Sequence, residues 1–243
     1  MVLPREHGTW MMFFLPYLLG VFLSGPKWIH LPLLIGWFFL YLSSTPLFSM
    51  IRKPRLKAEM LPWFAKYGVI AAIFTLPVIW LYSVILWIVI LIVPLLLISS
   101  YFIKQKNERS LWNDLSGILI FSLGGAAAYL IGQGSLTIDA LLLPMFITLY
   151  FMGSAFYVKS LIRERTNRTF RIKSHIYHGF LLIAPWIIGL PWMSVSYLPG
   201  ILKDWATSRK KPLKPTVIGM IEIINGIVFF ALCLYIFSRS SGH

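Results

Sequence analysis

The sequence predicts an all-α polytopic membrane protein, a bundle of about nine transmembrane helices. Three observations predict it. The chain is 58% hydrophobic and only 12% charged over 243 residues, more apolar surface than a soluble domain of that length can bury. The apolar residues fall in runs close to the roughly 20 residues that a helix needs to cross a hydrocarbon core. The basic residues behind the net charge of +14 sit in short clusters between those runs. That pattern sets topology and meets anionic lipid headgroups, so it argues for membrane lipids as partners and against nucleic acid. The single cysteine, Cys233, excludes an internal disulfide and a multi-cysteine metal site.

The spans are expected near 9–24, 28–51, 63–82, 84–103, 112–132, 136–162, 175–190, 191–206 and 215–238. The first contains Pro16 and is followed by "LSGPKW", a poor cleavage site with further apolar segments behind it, so it reads as a retained helix rather than a signal peptide. Residues 68–103 form one run too long for an ordinary span and divide near Tyr82 and Ser83. Residues 175–206 are short for two spans and form a tight pair, with Gly189 and Pro191 at the turn.

Loop charges orient the bundle. Twenty of the 22 lysines and arginines fall at the N-terminus or in segments 51–66, 104–111, 159–174 and 203–214, leaving Lys27 and Arg239 for the opposite face. The positive-inside rule makes the loaded face cytoplasmic, with the N-terminus inside, the C-terminus outside, an odd number of spans, and the cell membrane as location. Spans two and six both run into long basic segments. Spans three-four and seven-eight are both tight pairs. The whole chain therefore reads as one integral membrane domain, with pseudo-repeat halves at about 1–103 and 104–206 and a ninth helix at 215–238. Such repeats often form a site at their interface.

Nine helices with conspicuous loops after the second and sixth resemble the UbiA superfamily of intramembrane prenyltransferases, and "YFIKQKNERSLWNDLSGILIFSLGGAAAYLIG" is similar to that family's fourth loop and fifth helix. The resemblance implies a cavity open toward the cytoplasm, where two Asp-rich motifs hold an isoprenyl diphosphate through magnesium. This chain departs from both motifs. "SSTPLFSMIRKPR" (43–55) has no carboxylate, and "YVKSLIRER" (157–165) places Lys159 and Arg163 four apart on one helix face, with Glu164 on another. No metal or other cofactor is expected. Arg52, Arg55, Lys159 and Arg163 are candidates to hold an anion directly, since Arg grips phosphate in bidentate fashion. The alternative makes them stop-transfer charges at helix ends.

A second resemblance covers nearly the whole chain. "PREHGTW", "KNERSLWND", "FYVKSLIRER" and "KPTVIGMIE" together resemble the YwiC-like family of bacterial membrane proteins. It implies fold and location and carries no reaction.

Glu222 lies about 10 Å into the ninth helix at 1.5 Å per residue, where a carboxylate faces the bundle interior with a partner; Arg5 or His7 is the expected one. Asn113 and Asp114 open the fifth helix, where Asp satisfies free N–H groups and the helix dipole, or faces the cavity to order Arg109 or act as a base. Glu108 is expected as a solvated partner of Lys104 or Arg109. His175 and His178 are three apart; with His7 they make a weak metal set, and otherwise they are interfacial or line the cytoplasmic mouth. Tyr41, Tyr157, Tyr177 and the tryptophans read as lipid belt and core.

Two functions follow. In the first, the protein binds an anionic amphiphile, an isoprenoid or lipid phosphate, in a cytoplasm-facing cavity without magnesium. Any catalysis would be a metal-independent prenyl- or lipid-transferase activity, with His7, Asp114 and Glu222 as acid–base candidates. In the second, it is a non-catalytic carrier or a subunit of a membrane complex.

Overall fold

The computed structural model describes residues 8–209 and 211–240. Among these there are nine α-helices and no strand: α1 (Gly8–Ser24), α2 (His30–Arg52), α3 (Lys57–Leu81), α4 (Leu86–Lys104), α5 (Leu111–Gln133), α6 (Ile138–Leu161), α7 (Arg168–Ile188), α8 (Ser194–Ala206) and α9 (Pro215–Ser240). Short 3₁₀ turns at Pro54–Leu56, Ser83–Ile85 and Pro191–Met193 precede α3, α4 and α8.

Among the described residues six helices are long and apolar enough to cross a membrane: α2, α5, α6, α9, and α3 and α4 with their preceding turns. The apolar α1 is shorter, and α8 has 13 residues, about 20 Å of helix. The protein is a polytopic all-α membrane protein. Its surface agrees with a lipid solvent. Ile73, Leu76, Trp80 and Leu97 are each more than 60% exposed. Proline also lies inside seven of the helices, a frequency that membrane helices tolerate and soluble ones do not.

Two helix starts differ from expectation. The third helix begins at Lys57 and the seventh at Arg168, each six or seven residues earlier than the apolar runs suggest. Hydropathy ends where charges begin, whereas backbone hydrogen bonding continues. Asn167 fixes the start of α7, its side-chain oxygen accepting from the Phe170 N–H at 3.0 Å.

The described residues cluster into two compact units, one holding Pro16–Pro144 and the other holding 8–15 with 145–240. In the first, α2 packs on α3, and α4 on α5. The sequence "LGGAAA" makes α5 the most buried of the long helices. Its small residues let another backbone approach: a Cβ on Gly125 would lie 2.4 Å from the Pro16 carbonyl oxygen. Lys27 closes the far end of α5, its ammonium donating to the Gly132 carbonyl at 2.6 Å and the Ile131 carbonyl at 3.2 Å. These are carbonyls that the end of a helix leaves without intrahelical partners.

In the second unit α7 and α8 form a hairpin, and α8 also contacts α9. The turn falls where Gly189 and Pro191 predict it. Gly189 ends α7 at φ +90°, and the Leu190 N–H returns to the Pro185 carbonyl at 2.9 Å. The hairpin brings the start of α7 beside the end of α8.

Candidate functional site

At that meeting point lies a buried polar cluster centred on Asp204, in the last turn of α8. Asp204 has no exposed surface and Arg209 is 5% exposed. The Asp204 Oδ1 accepts from the Ser174 hydroxyl at 2.9 Å and from the Arg209 guanidinium. Its Oδ2 lies 2.6 Å from His175 Nδ1 and 3.4 Å from His178 Nδ1. A carboxylate only accepts, so His175 donates through Nδ1 and keeps Nε2 as its second nitrogen. His178 Nδ1 donates to the Ser174 carbonyl at 2.8 Å.

Arg209 is over-determined. It also donates to the Asp204 carbonyl, to the Thr207 carbonyl at 2.6 Å and to the Ser160 hydroxyl at 3.1 Å. Its guanidinium lies 5.6 Å from the Tyr157 ring, and the Lys203 ammonium lies 4.2 Å from the same ring. Tyr157, expected as core, is fully buried but packs against two cations.

Lys203 starts a second pair. Its ammonium donates to Glu222 Oε1, and the Ser154 hydroxyl donates to Oε2. The side chain of Glu222 is 16% exposed and that of Lys203 is 8% exposed. Its partner here is Lys203; the expected partners Arg5 and His7 lie outside the described residues.

Next to the Asp204 cluster an open cleft of about 370 Å³ is lined by Arg168, Arg171, His175, Trp205, Thr207 and Arg209, among others. Arg168 and Arg171 are three apart in the first turn of α7 and share a face. The side chain of His175 is 34% exposed. Arg168, Arg171, His175, Thr207, Ser208 and the half-exposed Trp205 line it, and Arg209 borders it with its guanidinium held by Asp204, Thr207 and Ser160. The chemistry of that lining is anion recognition beside an apolar edge.

The other candidates are not among the described residues that line this cleft. Arg52, 48% exposed, donates through Nε to Glu108 Oε1 at 2.6 Å and pairs with its other oxygen. Arg55 is exposed in the 3₁₀ turn before α3. Lys159 is partly buried in the last turn of α6, and Arg163 is exposed just past that helix, its N–H bonded to the Lys159 carbonyl at 3.1 Å. Asp114 is in the first turn of α5, whose cap is Ser110, the hydroxyl accepting from the Asn113 N–H at 3.1 Å. His7 lies outside the described residues. Among those residues no three of His, Cys, Asp or Glu are arranged to hold a metal ion.

Comparison with known proteins places this chain in a family. The YwiC-like protein family profile matches residues 3–129. An uncharacterized protein, YwiC of Bacillus subtilis, is 38% identical over 237 residues, covering 97% of this chain and 98% of its own. The chain belongs to the YwiC-like family. An uncharacterized protein of Haemophilus influenzae is 32% identical over 235 residues, covering 96% of this chain and 98% of its own. Both relatives therefore extend across the α7–α8 region that the family profile does not reach. No solved structure matches this YwiC-like chain.

Proposed function

We propose that this YwiC-like protein binds the anionic head of a membrane amphiphile, an isoprenoid or lipid phosphate, in the cleft between the start of α7 and the end of α8. The observation that carries the reading is that Arg168 and Arg171 line one open cleft together with His175 and Trp205. Arg forks match phosphate oxygens without a bridging metal, and the apolar rim suits the first carbons of a lipid chain.

The clustering of twenty basic residues, these included, on one set of loops supports a cytoplasmic position for the cleft, with the N-terminus inside, the C-terminus outside and the cell membrane as location. In this reading the protein has the UbiA-like helix arrangement with its magnesium site replaced by cations. Arg52, Arg55, Lys159 and Arg163 then act as headgroup contacts at the membrane surface. A carrier or complex subunit would use the same cleft without turnover.

Thermal unfolding of the detergent-purified protein tests this reading. Farnesyl phosphate at 100 times its dissociation constant stabilises a binding protein by about 2.7 kcal/mol. The expected result is a higher melting temperature with farnesyl phosphate in EDTA, and none with farnesol. Equal shifts with both, or no shift with either, would count against the reading.

A further inference from the structure

Two histidines lie against Asp204 Oδ2, and they face opposite ways. His178 is 1% exposed, and its Nε2 lies against α6, where a Cβ on Gly153 would come within 3.4 Å of it. The side chain of His175 is 34% exposed and lines the cleft. Its Nδ1 turns inward to a carboxylate with no exposed surface. The two nitrogens of an imidazole point in nearly opposite directions, so the exposed edge of His175 carries Nε2. Asp204 accepts the Nδ1–H, which leaves the lone pair of the neutral ring on Nε2. No hydrogen bond to that nitrogen occurs among the described residues.

The same helix carries the groups for a phosphate. Arg168, Arg171 and His175 follow one another at spacings of three and four residues on α7, which puts them on one face. All three line the cleft, and no carboxylate stands among the described lining residues. The Thr207 hydroxyl in that lining donates to the Lys203 carbonyl at 2.7 Å. His175 therefore brings a nucleophilic lone pair to the cations that hold the ligand in the anion-binding reading. A nucleophile, a buried group that orients it from behind, and guanidiniums for the phosphoryl oxygens are the parts that phosphoryl transfer uses.

We infer that His175 is a nucleophile and that the cleft hydrolyses a phosphate monoester through a phosphohistidine. This rests on the anion-binding reading above and adds a reaction to it. In the first step the Nε2 lone pair forms a bond to phosphorus while the ester P–O bond breaks. The alcohol leaves with that electron pair and takes a proton from water, which becomes hydroxide. The ring, phosphorylated on Nε2 and protonated on Nδ1, now carries a positive charge, and the Asp204 carboxylate faces it at 2.6 Å. In the second step a water oxygen attacks the phosphorus, the P–N electrons return to Nε2, and the attacking water gives a proton to the hydroxide. The balance is ester plus water to alcohol plus inorganic phosphate, with no redox change. Asp204 is a positioning residue in this reaction.

Phosphate release by the detergent-purified full chain in EDTA tests the proposal. The probes are farnesyl phosphate and the soluble monoester p-nitrophenyl phosphate, with the farnesyl phosphate radiolabelled on phosphorus for an alkaline quench. The expected result is release of inorganic phosphate and a label on the protein that survives alkali and is lost in acid, as a P–N bond requires. His175→Gln should retain the melting temperature, still bind farnesyl phosphate, carry no label and release phosphate at least about a hundredfold more slowly. Asp204→Asn keeps an acceptor for the Nδ1–H without the charge; it should slow release by about a hundredfold or more while farnesyl phosphate still binds. Equal rates with both probes support the site and assign it to soluble monoesters; faster release from farnesyl phosphate assigns it to the amphiphile. Farnesyl phosphate bound but not hydrolysed, hydrolysis that persists in His175→Gln, or hydrolysis with no label on the protein overturns this proposal and leaves anion binding standing. Failure of farnesyl phosphate to bind either the wild type or His175→Gln overturns the anion-binding reading itself.

Discussion

Asp204 Oδ2 and His175 Nδ1 lie 2.6 Å apart, joining the end of α8 to the first turns of α7 through a carboxylate with no exposed surface. The same carboxylate balances the buried Arg209. Removing one partner of such a pair leaves an uncompensated charge out of water, at a cost of about 3–5 kcal/mol. Asp204→Ala should therefore lower the melting temperature in detergent sharply. Asp204→Asn, which retains an acceptor oxygen for Arg209 and Ser174, should lower it less. A wild-type melting temperature for Asp204→Ala would contradict the described burial.

Much of the fold was legible in the sequence, and most of this cluster was not. Apolar length, Gly189 and Pro191 placed all nine helices, because membrane thickness and turn geometry are local constraints. Asp204 and Arg209 sit in "KDWATSRKK", where reading charges for their sign alone hides an acid paired with a cation five residues on. The 29-residue separation of His175 and Asp204 is closed by the hairpin, and no local pattern announces it. The available signal was an acid at the end of an apolar run facing a polar Ser174, His175 and His178 stripe. Lys159 and Arg163 stood out because they share a helix face. Arg168 and Arg171 were passed over as loop charges because apolar content stops before the helix does.

The Lys203–Glu222 pair should behave as a unit. Glu222→Gln leaves a largely buried ammonium without its counter-charge and should destabilise by about 3 kcal/mol, whereas Lys203→Met with Glu222→Leu should come close to wild type. A double-mutant cycle on thermal stability measures the coupling. Additive single effects would show that the two side chains act independently.

Two glycines should fail for different reasons. In Gly125→Ala the new methyl meets the backbone of Pro16 rather than a movable side chain, which predicts a loss of about 1–3 kcal/mol. Gly189→Ala has open space around the new methyl but places it at φ +90°, a loss of about 1–2 kcal/mol. Unfolding midpoints in mixed micelles check both, and a neutral Gly125→Ala would contradict the close approach to Pro16.

Arg52→Ala should change stability by no more than about 1 kcal/mol, because the Arg52–Glu108 pair is largely open to solvent. Reversing the pair to Arg52→Glu with Glu108→Arg should recover most of any loss. A large, unrecovered loss would indicate that Arg52 has a role beyond Glu108.

The most direct measurement compares the two cationic pairs on the second unit. Equilibrium binding of farnesyl phosphate in EDTA would be measured for the wild type, for Arg168→Ala with Arg171→Ala, and for Lys159→Ala with Arg163→Ala, each first checked for an unchanged melting temperature. The α7–α8 cleft predicts metal-independent binding that the first double variant weakens by about tenfold or more and the second leaves within about threefold of wild type. Loss in the Lys159 and Arg163 variant alone, or no change in the Arg168 and Arg171 variant, would contradict it.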